Sequence, residues 1–448
     1  MGSGKKQGFA MKKSELVKNC IFYGVLFIFV FFNADLSTTR LLASGGMNVY
    51  YGDIFFFLIL VTAVWAFSKN GTGWLQMQPA TICYVLFLGW LVLAVVLGWR
   101  IYGYRAFGES RYVLFFFAFF VPYSLLAGKQ SDDPVLIGNY IRMTTFVAAS
   151  AAILFLICSL LYRKPFYFSA LNLENQELWV HKIIDSNQSF HIILLAMFIF
   201  FLSFYRKKFF SLPKIIFFIL LFMVLPVHNR TALISLLTAF LVLLALGKKF
   251  REILFVCASV VAIFALLQIV PAVERFYYSV QSLQKVPDLS RKQALDLNHT
   301  AIKGMQTGYW RLYQNKAALR LALKKPFFGR HLGGYFNLFI PETNDINIYP
   351  LHNQYILILL KTGLIGLILL LAPLLLLLQR LFKFLADERL ETIERATVWL
   401  LLLVLLAQLS YGMGFAFIPL FAVYFGLGLI LSEALVKKYP PQLRIKKK

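Results

Sequence analysis

The sequence is poor in charged residues, histidine and cysteine, and each shortage excludes a class of protein. Only 15% of its 448 residues are charged, whereas a soluble domain has roughly a quarter. Hydrophobic residues make up 60%, and the mean hydropathy is +0.71. These values exclude an ordinary soluble domain. The cysteines all lie in or beside apolar runs, where packing is the expected role; they are Cys20, Cys83, Cys158 and Cys257.

Apolar runs long enough to cross a bilayer recur along the whole chain. We therefore predict an all-α polytopic membrane protein of about twelve transmembrane helices, with a large, partly helical periplasmic loop between helices 9 and 10. We expect no cleavable signal peptide, because no small-residue cleavage site follows the first apolar run. The predicted spans are 19–34, 50–67, 79–98, 112–127, 138–162, 189–205, 211–226, 229–247, 252–271, 353–378, 395–411 and 414–433.

The basic residues support this topology. If the N-terminus lies in the cytoplasm, alternation of the spans places every compact cluster of lysine and arginine on the cytoplasmic side, as the positive-inside rule requires. We expect a bacterial inner-membrane protein with both termini in the cytoplasm. The net charge of +25 is then explained by topology and contact with anionic membrane lipid, and we predict no nucleic-acid partner. The clusters are Lys5 to Lys18, 206–208, 248–251, 380–395 and 446–448.

This topology divides the chain into segments. We predict a cytoplasmic tail at 1–18, helices 1–9 at 19–271, a periplasmic loop with amphipathic helices at 272–351, helices 10–12 at 352–433, and a basic cytoplasmic tail at 434–448. Residues 271–351 hold eleven lysines and arginines against five acidic residues. A long loop is translocated largely regardless of charge, so its basic surface favours anion binding.

Two residues at the predicted outer face begin helices. His352 precedes Asn353, which is expected to cap the tenth span, and the positive helix end would keep a nearby imidazole neutral and available as a base. Arg230 opens the eighth span, where a cation is unfavourable unless an anionic ligand compensates. An interfacial histidine with a satisfied hydrogen bond and an arginine that reaches lipid headgroups are the alternatives.

The long loop supplies a second arginine. Residues 308–325 predict an amphipathic helix that ends near Pro326. Its exposed stripe is Lys316, Arg320 and Lys324, whereas Arg311 heads a face of small residues that permits close approach to another element. Two guanidinium groups suit a diphosphate, and a histidine suits deprotonation of an attacking hydroxyl.

Weaker supporting candidates are Arg330, in a glycine-rich segment expected to be flexible, and Arg105 and Arg111 in another outer connection. The sequence has no cysteine–histidine metal spacing and no paired carboxylates in the outer connections, so we predict neither metal nor cofactor. Arg142 and Lys361 are the charged residues nearest a span centre, and both are expected to extend toward an interface. This scarcity of buried charge argues against a non-catalytic polysaccharide transporter.

Around these residues the chain resembles the O-antigen ligase/polymerase superfamily. The family pattern is His followed by Asn, Ser or Gln, then nine residues, then Gly-x-x-Gly, and it reads here as His352-Asn353 and Gly363 to Gly366. A second pattern, Arg with Leu four residues later, matches Arg230 with Ile234 in place of leucine. The Arg-Leu sequence at Arg311 resembles the family's loop arginine. The similarity covers about residues 225–370.

The resemblance implies an inverting, metal-independent glycosyltransferase with an undecaprenyl-diphosphate-linked glycan donor. It makes His352 the catalytic base and assigns Arg230 and Arg311 to the donor diphosphate. The expected function is O-antigen ligase, with a lipid A-core sugar as acceptor. The alternatives within the superfamily are an O-antigen or exopolysaccharide polymerase and a protein O-oligosaccharyltransferase.

Overall fold

The structure is a computed structural model, and it describes part of the chain. The described residues are 19–28, 30, 40–44, 47–50, 57, 61, 78–103, 106, 109–110, 113, 115–126, 132–161, 186–202, 212–224, 230–267, 314–333, 338–339, 346–347, 351, 353–414 and 420–440.

The fold is a bundle of α-helices with two short antiparallel hairpins in the connections. The hairpins are β1–β2 (Arg40–Ser44 with Met47–Tyr50) and β3–β4 (Leu338–Phe339 with Ile346–Asn347). The helices are α1 (Asn19–Ile28), α2 (Pro79–Tyr102), α3 (Phe120–Leu125, preceded by a 3-10 turn at Phe115–Phe119), α4 (Pro134–Leu161), α5 (Ser186–Leu202), α6 (Leu212–Val224), α7 (Arg230–Leu246), α8 (Phe250–Leu267), α9 (314–322), α10 (Gln354–Leu385), α11 (Thr392–Gly414) and α12 (Phe421–Lys438).

Within the part of the chain that the structure describes, four helices are long and apolar enough to cross a membrane, namely α2, α4, α10 and α11. Shorter apolar helices occupy most of the other predicted spans. Each predicted span overlaps a helix, with ends that differ by up to seven residues, except 50–67, which lies outside the described residues apart from positions 57 and 61. The membrane-helix character is thus confirmed, while the count of twelve spans and the periplasmic side of the long loop stay predictions.

The centre of the bundle is formed by helices that are apolar all round. In α11 the whole run from Val398 to Leu405 is buried, and in α5 the residues from Phe190 to Met197 are buried. A helix without a polar face is expected in the interior. By contrast, α2 packs against α10 on one side and exposes large aliphatic side chains on the other, as a lipid-facing helix does.

Charged side chains form ion pairs between helices at one end of the bundle. Arg380 pairs with Glu433 at 2.9 Å and also hydrogen-bonds to Gln78, so α10, α12 and the start of α2 meet there. Lys214 pairs with Glu252 at 3.0 Å, and Lys438 pairs with Glu391 and Glu394. The predicted topology assigns all these segments to one side of the membrane, and these contacts agree with that alternation.

Helix α9 packs with its small face inward. Ala318 and Ala322 are buried against Leu351, just before α10, and Leu360, in the second turn of α10. The basic stripe on α9 is exposed, as its spacing predicts; it consists of Lys316, Arg320 and Lys324. Helix α9 therefore packs closely against the start of α10 through these two alanines.

Candidate functional site

The structure describes some of the predicted site residues and not others. His352, Arg311, Arg105 and Arg111 lie outside the described residues. Arg230 is the first residue of α7, as predicted. Asn353 and Arg330 are fully placed, and both contact α10. The roles that the sequence assigns to these residues therefore stay predictions, and the described structure shows the framework around them.

The N-terminus of α10 is anchored by Asn353. Its Oδ1 accepts a hydrogen bond from the backbone N–H of Ile356 at 3.0 Å, which is the predicted cap. Its Nδ2 donates to the carbonyl of Met413 at 2.9 Å, near the end of α11. In the next turn the hydroxyl of Tyr355 donates to the carbonyl of Leu409 at 2.7 Å. These bonds fix the start of α10 against the end of α11.

Helix α10 is broken at Gly363, the first glycine of the family pattern. Gly363 has φ 72° and ψ −171°, a conformation that residues with a side chain rarely adopt. A Cβ there would also overlap the carbonyl of Phe327, and a Cβ on Gly366 would overlap the side chain of Thr362. Gly363 is thus required by its backbone conformation and by close packing, and Gly366 by close packing.

The break is occupied by residues 323–333, which we call the insert segment. The backbone N–H of Arg330 donates to the carbonyl of Leu360 at 2.7 Å, and that of His331 donates to Lys361 at 3.0 Å. Beyond the break, the N–H of Leu364 donates to the carbonyl of Pro326 at 2.7 Å. The insert segment therefore satisfies backbone groups that the broken helix leaves open.

This geometry corrects the expectation that Arg330 lies in a flexible segment. Its backbone is hydrogen-bonded into the break of α10, and the two flanking glycines, Gly329 and Gly333, supply positive φ values where the segment turns. The glycines were interpreted as a source of flexibility, but here they permit close packing.

A buried ion pair joins the break to a distant part of the chain. Lys361 is 2% exposed, and its Nζ donates to Glu109 Oε1 and Oε2 at 2.6 and 2.7 Å. Glu109 Oε2 also accepts the backbone N–H of Gly333 at 2.6 Å. The expectation that Lys361 extends to an interface is wrong, because its buried side chain ends on the half-buried carboxylate of Glu109. The pair fastens the connection that contains Arg105 and Arg111 to the insert segment.

Sequence reasoning missed two buried polar residues at this end of the bundle. Gln354 is 0% exposed, and neither its amide oxygen nor its amide nitrogen has a hydrogen-bond partner among the described residues. The Nδ1 of His191 in α5 is likewise buried and unpaired there. The neighbouring Phe190 packs on Tyr411 of α11 with ring centroids 5.7 Å apart, which places this part of α5 near the end of α11 that Asn353 contacts.

Unpaired buried polar groups are costly, so their presence in one region requires an explanation. An amide offers a donor and an acceptor together, which suits hydroxyl groups of a ligand or ordered water. A sequence signal for these buried polar residues exists, because several polar residues lie at the same predicted end of otherwise apolar spans. They are Gln188, Ser189, His191, Gln354, Gln408 and Tyr411. Among the described residues no cluster of three metal-ligating side chains occurs.

Comparison with known proteins gives one family. Residues 215–371 match the model of a family described as O-antigen ligase. A search of curated proteins gives no match. The matched range contains the start of α7, the insert segment and the broken part of α10, and it includes both glycines whose geometry is described above. Residues 215–371 are therefore similar to the O-antigen ligase family, and this match supports the O-antigen ligase/polymerase superfamily.

Proposed function

We propose that the protein is an O-antigen ligase, a glycosyltransferase that moves polysaccharide from undecaprenyl diphosphate to a sugar hydroxyl of lipid A-core. One observation carries the proposal. The family match at 215–371 includes Arg230, Arg311, His352 and the Gly363–Gly366 pattern. Every residue to which the resemblance gives a principal role in the reaction thus lies within the matched range.

The proposed reaction is a single displacement. The imidazole of His352 accepts the proton of the acceptor hydroxyl while its oxygen attacks the anomeric carbon of the donor. The bond from that carbon to the diphosphate oxygen breaks, and undecaprenyl diphosphate leaves. Arg230 and Arg311 bind the diphosphate through bidentate hydrogen bonds, which strengthen as negative charge develops on the leaving group. Attack opposite the leaving group inverts the anomeric configuration.

The framework around α10 supports these roles. Asn353 holds the helix start beside His352, and the Glu109–Lys361 pair holds the insert segment against the same helix. A base and an anion site must keep a fixed separation for displacement to be efficient. Gln354, next to Asn353, has no hydrogen-bond partner within the described part of the chain, and we propose that its amide binds an acceptor hydroxyl. We propose that the site faces the periplasm of the inner membrane.

Deletion of the gene tests the proposal in cells. A ligase predicts lipopolysaccharide without its polymer ladder, together with accumulation of lipid-linked polymer. Core that carries a single repeat unit would instead identify a polymerase and would overturn the ligase assignment. Complementation with Arg230→Lys should restore little of the ladder, because lysine keeps the charge but loses the planar bidentate donor. Full complementation by this variant would contradict the diphosphate role.

A further inference from the structure

The insert segment packs along the second half of α2, from Trp90 to Gly98, and so extends along the length of a membrane-spanning helix. Phe328 packs on Trp90 with ring centroids 5.8 Å apart, and the N–H of Leu332 donates to the carbonyl of Ala94 at 3.3 Å. The backbone of Leu332 also abuts Gly98. Since Ala94 and Gly98 lie about 6 and 12 Å along α2 from Trp90, the segment descends by roughly 6–12 Å from Leu332 to Phe328.

The ion pair of Arg380 with Glu433 marks the opposite boundary of the hydrocarbon, because charged side chains avoid the bilayer interior. Helix α10 covers about 26 Å from Arg380 to the break at Gly363. The hydrocarbon core is about 30 Å thick. The break and the residues bonded to it therefore lie within the leaflet farther from Arg380. Along α2, Trp90 is about 18 Å from Gln78, which lies beside Arg380. Because this distance is also less than the thickness of the hydrocarbon core, Trp90 and the Phe328 ring packed on it lie within the membrane as well.

The surface of the insert segment at this depth is apolar. Phe327 is 60% exposed and Phe328 is 59% exposed, and Leu323 is exposed beside them. The backbone carbonyls of Pro326 and Phe327 are bonded to Leu364 and Ile365, so this irregular backbone does not leave those groups unpaired in lipid. Lys324 and Lys325 are exposed next to the phenylalanines, and their flexible stems can place the ammonium groups at the headgroup level.

We propose that the insert segment is a re-entrant wedge that inserts Phe327 and Phe328 among the acyl chains of the outer leaflet. Lys324 and Lys325 then contact phosphate groups of the same leaflet. The partner is the phospholipid bilayer. This inference does not depend on the proposed glycosyltransferase activity, since it follows from the position of the segment along α2 and α10. It changes the predicted loop 272–351 from a wholly extramembrane domain into one that returns into the membrane.

Site-directed spin labelling of the full-length protein in nanodiscs tests the wedge. The four cysteines are replaced by alanine, and Phe327→Cys, Phe328→Cys and Lys316→Cys are labelled one at a time; Lys316 is the matched control because it is exposed on α9. The wedge predicts that labels at 327 and 328 collide several-fold more with oxygen, and several-fold less with a water-soluble nickel chelate, than the label at 316. Equal access of the nickel chelate at all three positions would overturn the proposal.

A second measurement leaves the sequence unchanged, so it does not depend on the folding of the variants. The wild-type protein is reconstituted with phospholipid that carries a photoreactive group near the end of one acyl chain, and cross-linked peptides are identified by mass spectrometry. Cross-links on the peptide that contains Phe327 and Phe328 support the wedge. Their absence, when the exposed face of α2 is cross-linked in the same sample, contradicts it.

Discussion

At the residue scale, the Gly363–Gly366 pattern has a physical reason in this structure. Gly363 gives the positive φ that ends one helical segment and begins the next, and both glycines lie where a Cβ would overlap a neighbour. The pattern is therefore a requirement for the break of α10, and through the break it holds the insert segment in place. The sequence identifies the two glycines from the family resemblance but does not reveal this conformation, since the apolar run continues through it.

We predict that Gly363→Ala destabilises the protein, because a positive φ costs a residue with a Cβ roughly 1–2 kcal/mol and the carbonyl of Phe327 has to move. Gly89→Ala in α2 is the matched control, since nothing lies within 4 Å of the added Cβ and alanine is the better helix former. Thermal unfolding in nanodiscs should show a lower midpoint for the first variant and an equal or higher midpoint for the second. Equal midpoints for Gly363→Ala and the wild type would contradict this account of the break.

Gln354 gives a second prediction at this scale. Because its buried amide has no partner among the residues that the structure describes, Gln354→Leu should leave the free energy of unfolding unchanged or raise it by roughly 1–3 kcal/mol, while glycan transfer falls. Gln188→Leu is the control, because Gln188 Nε2 donates to the carbonyl of Val30 and its loss should lower stability. Unfolding and transfer are measured on the same preparations. Full transfer by Gln354→Leu would show that the amide does not contact substrate.

At the element scale, α10 is two helical segments with different tasks. The segment before Gly363 packs on α9 and carries the capped start beside His352, whereas the segment after Gly363 packs along α2 toward Arg380. The Glu109–Lys361 pair joins the part of α10 before Gly363 to the insert segment, through the bond of Glu109 to Gly333. Breaking a buried pair by removing one partner is much more damaging than removing both, because a single buried charge is left unpaired.

We therefore predict that Lys361→Met alone lowers the free energy of unfolding by about 3 kcal/mol, and that Glu109→Gln in the same chain recovers much of this loss. The exposed pair of Lys437 with Asp132, at 2.6 Å, is the control. Breaking that pair should change stability by less than about 1 kcal/mol. A double-mutant cycle on each pair gives the coupling energy. Equal coupling in the two pairs would contradict the structural role given to Glu109 and Lys361.

At the scale of the whole molecule, the sequence predicts most of the helices and the region of the site. Apolar length determines the spans, asparagine chemistry predicts the cap at Asn353, and the alanines of α9 predict its inward face. The remaining features depend on tertiary contacts between residues far apart in the chain. No local pattern pairs Glu109 with Lys361, places Leu332 against Gly98, or shows that Gln354 is buried, because each arises from how separate elements pack.

The most direct test of the central claim is transfer by the purified full-length protein in nanodiscs, with undecaprenyl-diphosphate-linked polysaccharide and lipid A-core as substrates and no added metal. We predict that the wild type forms lipopolysaccharide and that His352→Ala reduces the rate by roughly 10²–10⁴-fold. His299→Ala, another histidine of the long loop, should retain the rate of the wild type. Undiminished transfer by a correctly folded His352→Ala protein would contradict the account.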